Sequence, residues 1–149
     1  AYSVRARRLP DPPQQALTIA AAFGTVPKEI DAYLSLRAGA HYRNDLDLIA
    51  VTPEGQVGAF CIAWLDPTNR VGLLEPVGCH PDHRRRGLAQ VVVLAALRRL
   101  LEAGVESVVV CPLSDNSAAC ALYQSVGFAT VADDYDWVVS FDNPSQPAS

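Results

Sequence analysis

The chain has 149 residues, half of them hydrophobic and 19% charged, with a formal net charge of −4. Such a composition suits one globular domain and excludes a disordered chain, and no apolar run approaches the roughly 18–20 residues of a membrane span, so no membrane partner is expected. Every Lys and Arg lies at or before Arg99 while seven acids follow it, a balance that speaks against nucleic acid as a partner, because nonspecific binding there rests on summed positive charge.

In chain order, "YSVRARR" (2–8) alternates as a strand does. "PDPPQQALTIAAAFG" (10–24) opens on prolines and ends on glycine, as a helix does. "VPKEIDAYLSLRAG" (26–39) is a second expected helix. "DLDLIAV" (45–51) and "VGAFCIAWL" (57–65) are strands flanking the loop "TPEGQ". "RVGLLEPVGCHP" (70–81) is a strand whose Pro76 and Gly78 argue for a bulge or an unpaired stretch. "RGLAQVVVLAALRRLLEAG" (86–104) is a helix laid on a sheet, with Gln90, Arg98 and Glu102 on its polar stripe and Gly104 closing it. "VESVVVCP" (105–112) has the apolar run of a central strand. "DNSAACALYQSVGF" (115–128) is a helix started by Asp115 or Asn116 and stopped by Gly127. "FATVA" (128–132) and "YDWVVSF" (135–141) are a last pair of strands. The order β-α-α-β-β-β-α-β-α-β-β places one right-handed parallel crossover within an otherwise antiparallel sheet. A single domain over residues 1–142 with a flexible tail at 143–149 is expected. The start shows no secretory pattern, and with Ala1 first and no Met the chain is expected to be processed or cut from something longer. Cys61, Cys79, Cys111 and Cys120 lie in apolar runs without a C-x-x-C pair, which reads as buried free thiols in a reducing, cytoplasmic setting.

The stretch "HPDHRRRGLAQ" (80–90) admits two chemistries, a basic patch or an anion cradle. The cradle is favoured. A strand ends, a short polar loop follows, and a long helix begins near Arg86–Gly87. The first amides of that helix have no internal partner and sit at the positive end of its dipole, where a diphosphate binds. Gly87 and Ala89 leave room for it, and arginines line the rim.

"RRRGLA" meets the pattern [Q/R]-x-x-G-x-[G/A] through Arg84, Gly87 and Ala89, and downstream "NSAACALYQSVGF" supplies Asn116, Tyr123 and Gly127–Phe128. Together with the element order, these motifs resemble the GNAT superfamily of N-acetyltransferases, over nearly the whole chain and most strongly over residues 70–128, in a small bacterial-type form. The resemblance implies an α+β sandwich: a central mixed sheet of about seven strands, the parallel fourth and fifth splayed apart, flanked by about four helices. It implies acetyl-CoA (coenzyme A) as cofactor, with the pyrophosphate on Arg84, Arg85, Arg86, Gly87, Leu88, Ala89 and Gln90. The pantetheine arm would lie along Val77, Gly78 and Cys79, with Asn116 bonding the arm and Tyr123 reaching the sulfur. Pro112 would close the far side of the splay.

Amide synthesis from a thioester asks for a deprotonated amine, a polarised carbonyl and a protonated leaving thiolate. On the resemblance, a Val77 or Cys79 amide polarises the carbonyl and Tyr123 is the general acid. Some relatives carry a glutamate where this chain has Cys111, so that base does not transfer. Glu75 is the candidate base, because a carboxylate in an apolar strand is expensive without a role; pairing with Arg70 or a loop arginine is the structural alternative. His41, His80 and His83 are possible relays. No cluster has metal-ligand spacing, and none is expected. The partner is expected to be a small-molecule or peptide amine. Tyr42, Trp64, Tyr135 and Trp137 with Asp45, Asp47, Asp133, Asp134 and Asp136 lean towards a cationic one. A homodimer is compatible with the resemblance, and a non-catalytic CoA-binding sensor or interaction module is the competing reading.

Overall fold

A computed structural model of the chain describes residues 1–8, 12–25, 35 and 37–134. Strands β1 (Ser3–Ala6), β2 (Asp47–Val51), β3 (Val57–Asp66), β4 (Val71–Cys79) and β5 (Ser107–Val109) form one sheet in the order β1-β2-β3-β4-β5. Neighbours are antiparallel as far as β4, and β4 pairs with β5 in parallel. The helices are α1 (Pro12–Phe23), α2 (Leu88–Glu102) and α3 (Ser117–Ser125). The α2 helix is the expected crossover between the two parallel strands.

The count differs from about seven strands and four helices: five and three stand among the described residues. The second expected helix falls largely, and the strand at 135–141 wholly, outside them. "FATVA" is described and is not a strand. A strand exists only through a ladder, and the partner expected for this one lies outside the described residues. β5 also departs from the buried central strand read from "VESVVVCP": it is three residues long, with Ser107 and Val109 exposed.

Three layers result. α1 lies on one face, where Ile19 and Ala22 pack on Ile49, Val51, Val57 and Phe60. On the other face α2 contributes Leu88, Val92, Val93, Ala96 and Leu100 to a core shared with Leu48, Cys61, Leu74 and Tyr123. Each such side chain contributes about 1.5–3 kcal/mol when fully buried. Alternation in β2 and β3 sorts these sets to opposite faces.

The α1 face has one tight point. A Cβ at Gly78 would lie 2.5 Å from the Phe60 ring and 3.2 Å from Ala22 Cβ. Gly78→Ala is therefore expected to overpack this layer by about 1–3 kcal/mol. Urea denaturation reads it as a lower midpoint at unchanged slope; an unchanged midpoint would mean that Phe60 and α1 yield freely.

Candidate active site

The loop between β4 and α2 is built to leave its amides empty. Pro81–His83 form a short 3-10 turn, capped by His80 Nδ1, which accepts from the Asp82 amide. Arg85 and Gly87 then adopt left-handed φ values of 59° and 73°. Alternating backbone handedness turns successive N–H groups into one concavity, an anion nest. Gly87 caps α2 without a side-chain acceptor, and the first bond of the helix is Val91 N–H to Gly87 O at 3.1 Å. The amides of Arg85, Arg86, Gly87, Leu88, Ala89 and Gln90 consequently donate to no acceptor among the described residues. A Cβ at Gly87 would meet nothing within 4 Å, so the concavity is open.

Of the three arginines, Arg84 donates to the Ala22 carbonyl of α1 and Arg86 to the Tyr2 hydroxyl. Among the described residues, no hydrogen bond or ion pair engages the Arg85 guanidinium. Tyr2 Oη lies 2.7 Å from His83 Nδ1; since it accepts from Arg86, its own proton is available to that nitrogen. His80 and His83 thus both take part in shaping the loop. The tie from β1 to the loop left no local trace in the sequence, because Tyr2 and His83 are 81 residues apart.

β4 is bulged where Pro76 suggested. Ala63 pairs with Leu74 and Cys61 with Val77, so Glu75 and Pro76 together stand opposite Ile62. Past the bulge, His80 N–H donates to Gly58 O at 2.8 Å. Alternation along an antiparallel ladder makes Gly78–Phe60 a hydrogen-bonded pair too, and turns the amides of Val77 and Cys79 away from β3. β5 is no longer on that side, for its pairing with β4 ends at Leu73–Val109. Leu74 to Cys79 thus border a gap, with two main-chain donors facing it.

α3 shares its core with Leu74, Val77 and Cys79, which border the gap. Asn116 Oδ1 caps the helix by accepting from Ala119 N–H at 3.0 Å, which leaves its Nδ2 to donate elsewhere. Tyr123, two turns on, is buried with its ring edge-on to Phe128. Burial, and then the nearby Cys61 and Cys120 thiols, push its pKa up to about 12. Its hydroxyl has no hydrogen-bond partner among the described residues. The four cysteines are free, but only Cys61 is buried; Cys79 and Cys120 are half-buried and Cys111 is exposed. The expectation of four buried thiols therefore holds only for Cys61.

A family model described as Acetyltransferase (GNAT) family matches residues 14–128. The chain belongs to this family. Among curated proteins, this GNAT chain is 30% identical to a mycothiol acetyltransferase of Nocardiopsis dassonvillei over 139 residues, 86% of this chain and 42% of that protein. It is 34% identical over 96 residues to one of Saccharomonospora viridis, covering 60% of this chain and 31% of that protein. The chain therefore spans less than half the length of these relatives. Its fold matches the ribosomal-protein-S18-alanine N-acetyltransferase of Escherichia coli, with a TM-score of 0.75 at 23% identity over 89% of this chain and 80% of that one. It also matches AAC(6')-Iy in complex with a CoA-S-monomethyl-acetylneamine bisubstrate analog, at 0.76 and 17% over 94% and 99%.

Two expectations for the GNAT chain's acceptor side change. Glu75 is exposed on β4, so the burial penalty that singled it out is absent. Its alternative partner Arg70 instead pairs with Glu106 and donates to Gly104 O. Among the described residues, no ion pair engages the Glu75 carboxylate. Tyr42 and Asp47, read as part of a cationic-amine site, are committed internally: Tyr42 Oη donates to Asp47 Oδ2 at 2.6 Å, and Arg7 and Arg37 lie over the tyrosine ring at 6.0 and 5.6 Å. Tyr135, Trp137 and Asp136 lie outside the described residues; Asp133 and Asp134 are exposed. A separate depression of about 460 Å³ lies at the far end of α2. Its charged side chains are engaged, Arg43 with Asp45, Arg98 with Glu102 and Arg99 with the Asp45 carbonyl, so it does not compete with the gap as a site.

Proposed function

We propose that this chain moves an acetyl group from acetyl-CoA to a primary amine of a small-molecule or peptide acceptor, by direct attack within a ternary complex. The observation that carries this reading is the run of empty amides at residues 85–90 beside an open strand edge. The residues fit the cofactor. The nest and the Arg85 guanidinium, unengaged among the described residues, suit a pyrophosphate. The edge at Val77, Gly78 and Cys79 offers main-chain pairing to an amide-bearing arm, and Asn116 Nδ2 offers a further donor.

Acetyl-CoA, when bound, supplies a thioester carbonyl and a thiolate leaving group. The Val77 or Cys79 N–H polarises that carbonyl, a donor already in place and needing no reorganisation. Tyr123 holds the proton for the departing thiolate. Glu75, exposed and without an ion-pair partner among the described residues, accepts the amine's proton through water. Free amines of the lysine type carry a pKa near ~10.4, so this step is required at neutral pH. The relatives named mycothiol acetyltransferase support a small-molecule acceptor.

Titration calorimetry with CoA, followed by an amine panel read as released thiol, tests the assignment. The expected result is CoA binding and thiol release with at least one amine. CoA binding with no release across a broad panel would favour a sensor or interaction module, a reading kept in view by exposed Cys111 standing where some relatives have the base. No CoA binding overturns both.

A further inference from the structure

Trp64 sits on β3 opposite Leu73, yet its indole reaches past that partner: Nε1–H donates to the main-chain carbonyl of Glu75 at 2.6 Å. That carbonyl belongs to the bulge. The ladder offers two β4 residues, Glu75 and Pro76, to one residue of β3, so some main-chain groups must find partners elsewhere. Pro76 has no N–H to satisfy. The Glu75 oxygen is taken up by Trp64.

The bulge decides which way the next amide points. Without the extra residue, Val77 would stand opposite Phe60 and give its N–H to the ladder. With it, Val77 stands opposite Cys61, and its N–H turns to the gap. Its side chain turns with it, onto the α2 face, where it packs against the main core. The ring of Trp64 is itself steadied by Tyr42, edge-on at 6.4 Å, whose hydroxyl is anchored on buried Asp47.

We infer that Trp64 is a positioning residue: its indole N–H holds the β4 bulge in the register that aims the Val77 amide at the thioester carbonyl. The inference rests on the acetyl-CoA reading above and extends it to a side chain on the neighbouring strand β3.

The test reads the carbonyl directly. Protein loaded with acetyl-CoA carrying 13C at the thioester carbonyl should show that resonance moved downfield from its free position, as hydrogen bonding to oxygen requires. Trp64→Phe keeps an aromatic ring and loses the N–H. The expected result is a carbonyl signal displaced back towards the free value, at unchanged CoA affinity by calorimetry. Should Trp64→Phe fail to fold, benzothienylalanine at position 64 replaces only the N–H by sulfur and takes the same measurement. An undiminished downfield shift in either variant overturns the role of Trp64 while leaving the cofactor reading intact. Absence of CoA binding by the unaltered protein overturns that reading and this inference with it.

Discussion

Tyr123→Phe is expected to slow acetyl transfer about 10²–10⁴-fold while leaving CoA affinity unchanged. The phenyl ring keeps the contact with Phe128 and the place in the core that Tyr123 shares with Leu74 and α2. Only the hydroxyl is lost, and among the described residues no group depends on it for a hydrogen bond. Stability should therefore change little, and the loss should fall on kcat, measured as thiol release with the best acceptor from the panel. Turnover equal to the unaltered protein would remove the acid role. The pH profile carries a second check. Burial favours the neutral phenol and moves its pKa to about 12, above the ordinary value near ~10. The group therefore remains protonated, and able to donate, throughout the neutral and mildly alkaline range. The rate should rise with pH as the amine loses its proton, with no fall due to Tyr123 below about pH 11. The linked stability has the same sign: it is fully present below about pH 10 and is lost as pH rises through 10 towards 12.

The largest loss of stability is expected at Asp47→Ala. Asp47 is fully buried. Its Oδ2 lies 3.2 Å from Arg7 Nε and accepts from Tyr42, while Oδ1 accepts from Gln15 Nε2 at 2.6 Å. Arg7 is nearly as buried and also donates to Asn44 Oδ1. Removing the carboxylate leaves a guanidinium in the interior without its counter-charge, which costs about 3–5 kcal/mol, a large part of the ~5–15 kcal/mol that holds a domain together. Urea titration should show a much lower midpoint. The double variant Arg7→Met with Asp47→Leu should recover most of the loss, because replacing both partners with apolar groups removes the orphaned charge. A double variant as unstable as Asp47→Ala would show that the network contributes through its shape and not through matched charges.

Both effects arise where residues far apart in the chain meet, and that marks the limit of sequence reading here. The run of unbonded amides at residues 85–90 was legible because its geometry is local. A strand end, a glycine and a helix start within ten residues are enough to leave amides empty. The bulge was legible in part. Pro76 and Gly78 announce that regular pairing fails, but the direction of the Val77 amide depends on which residue of β3 stands opposite. Glu75 was singled out on an assumed burial that the sheet does not impose. Tyr42 and Asp47 have the composition of a binding site, and it takes the packing of β1, α1 and β2 to show that they satisfy one another.

The sequence by itself determined the order of elements from β2 to α3, the parallel crossover through α2, the unbonded amides at residues 85–90 and the placing of Asn116 at the start of the helix that carries Tyr123. These follow from periodicity, caps and the short-range geometry of the main chain. Only the tertiary structure decided that Trp64 binds the Glu75 carbonyl, that Tyr2 clamps the loop through His83 and Arg86, and that Arg7 neutralises Asp47. Those partners are brought together by strand register and layer packing, and no stretch of contiguous residues encodes either one.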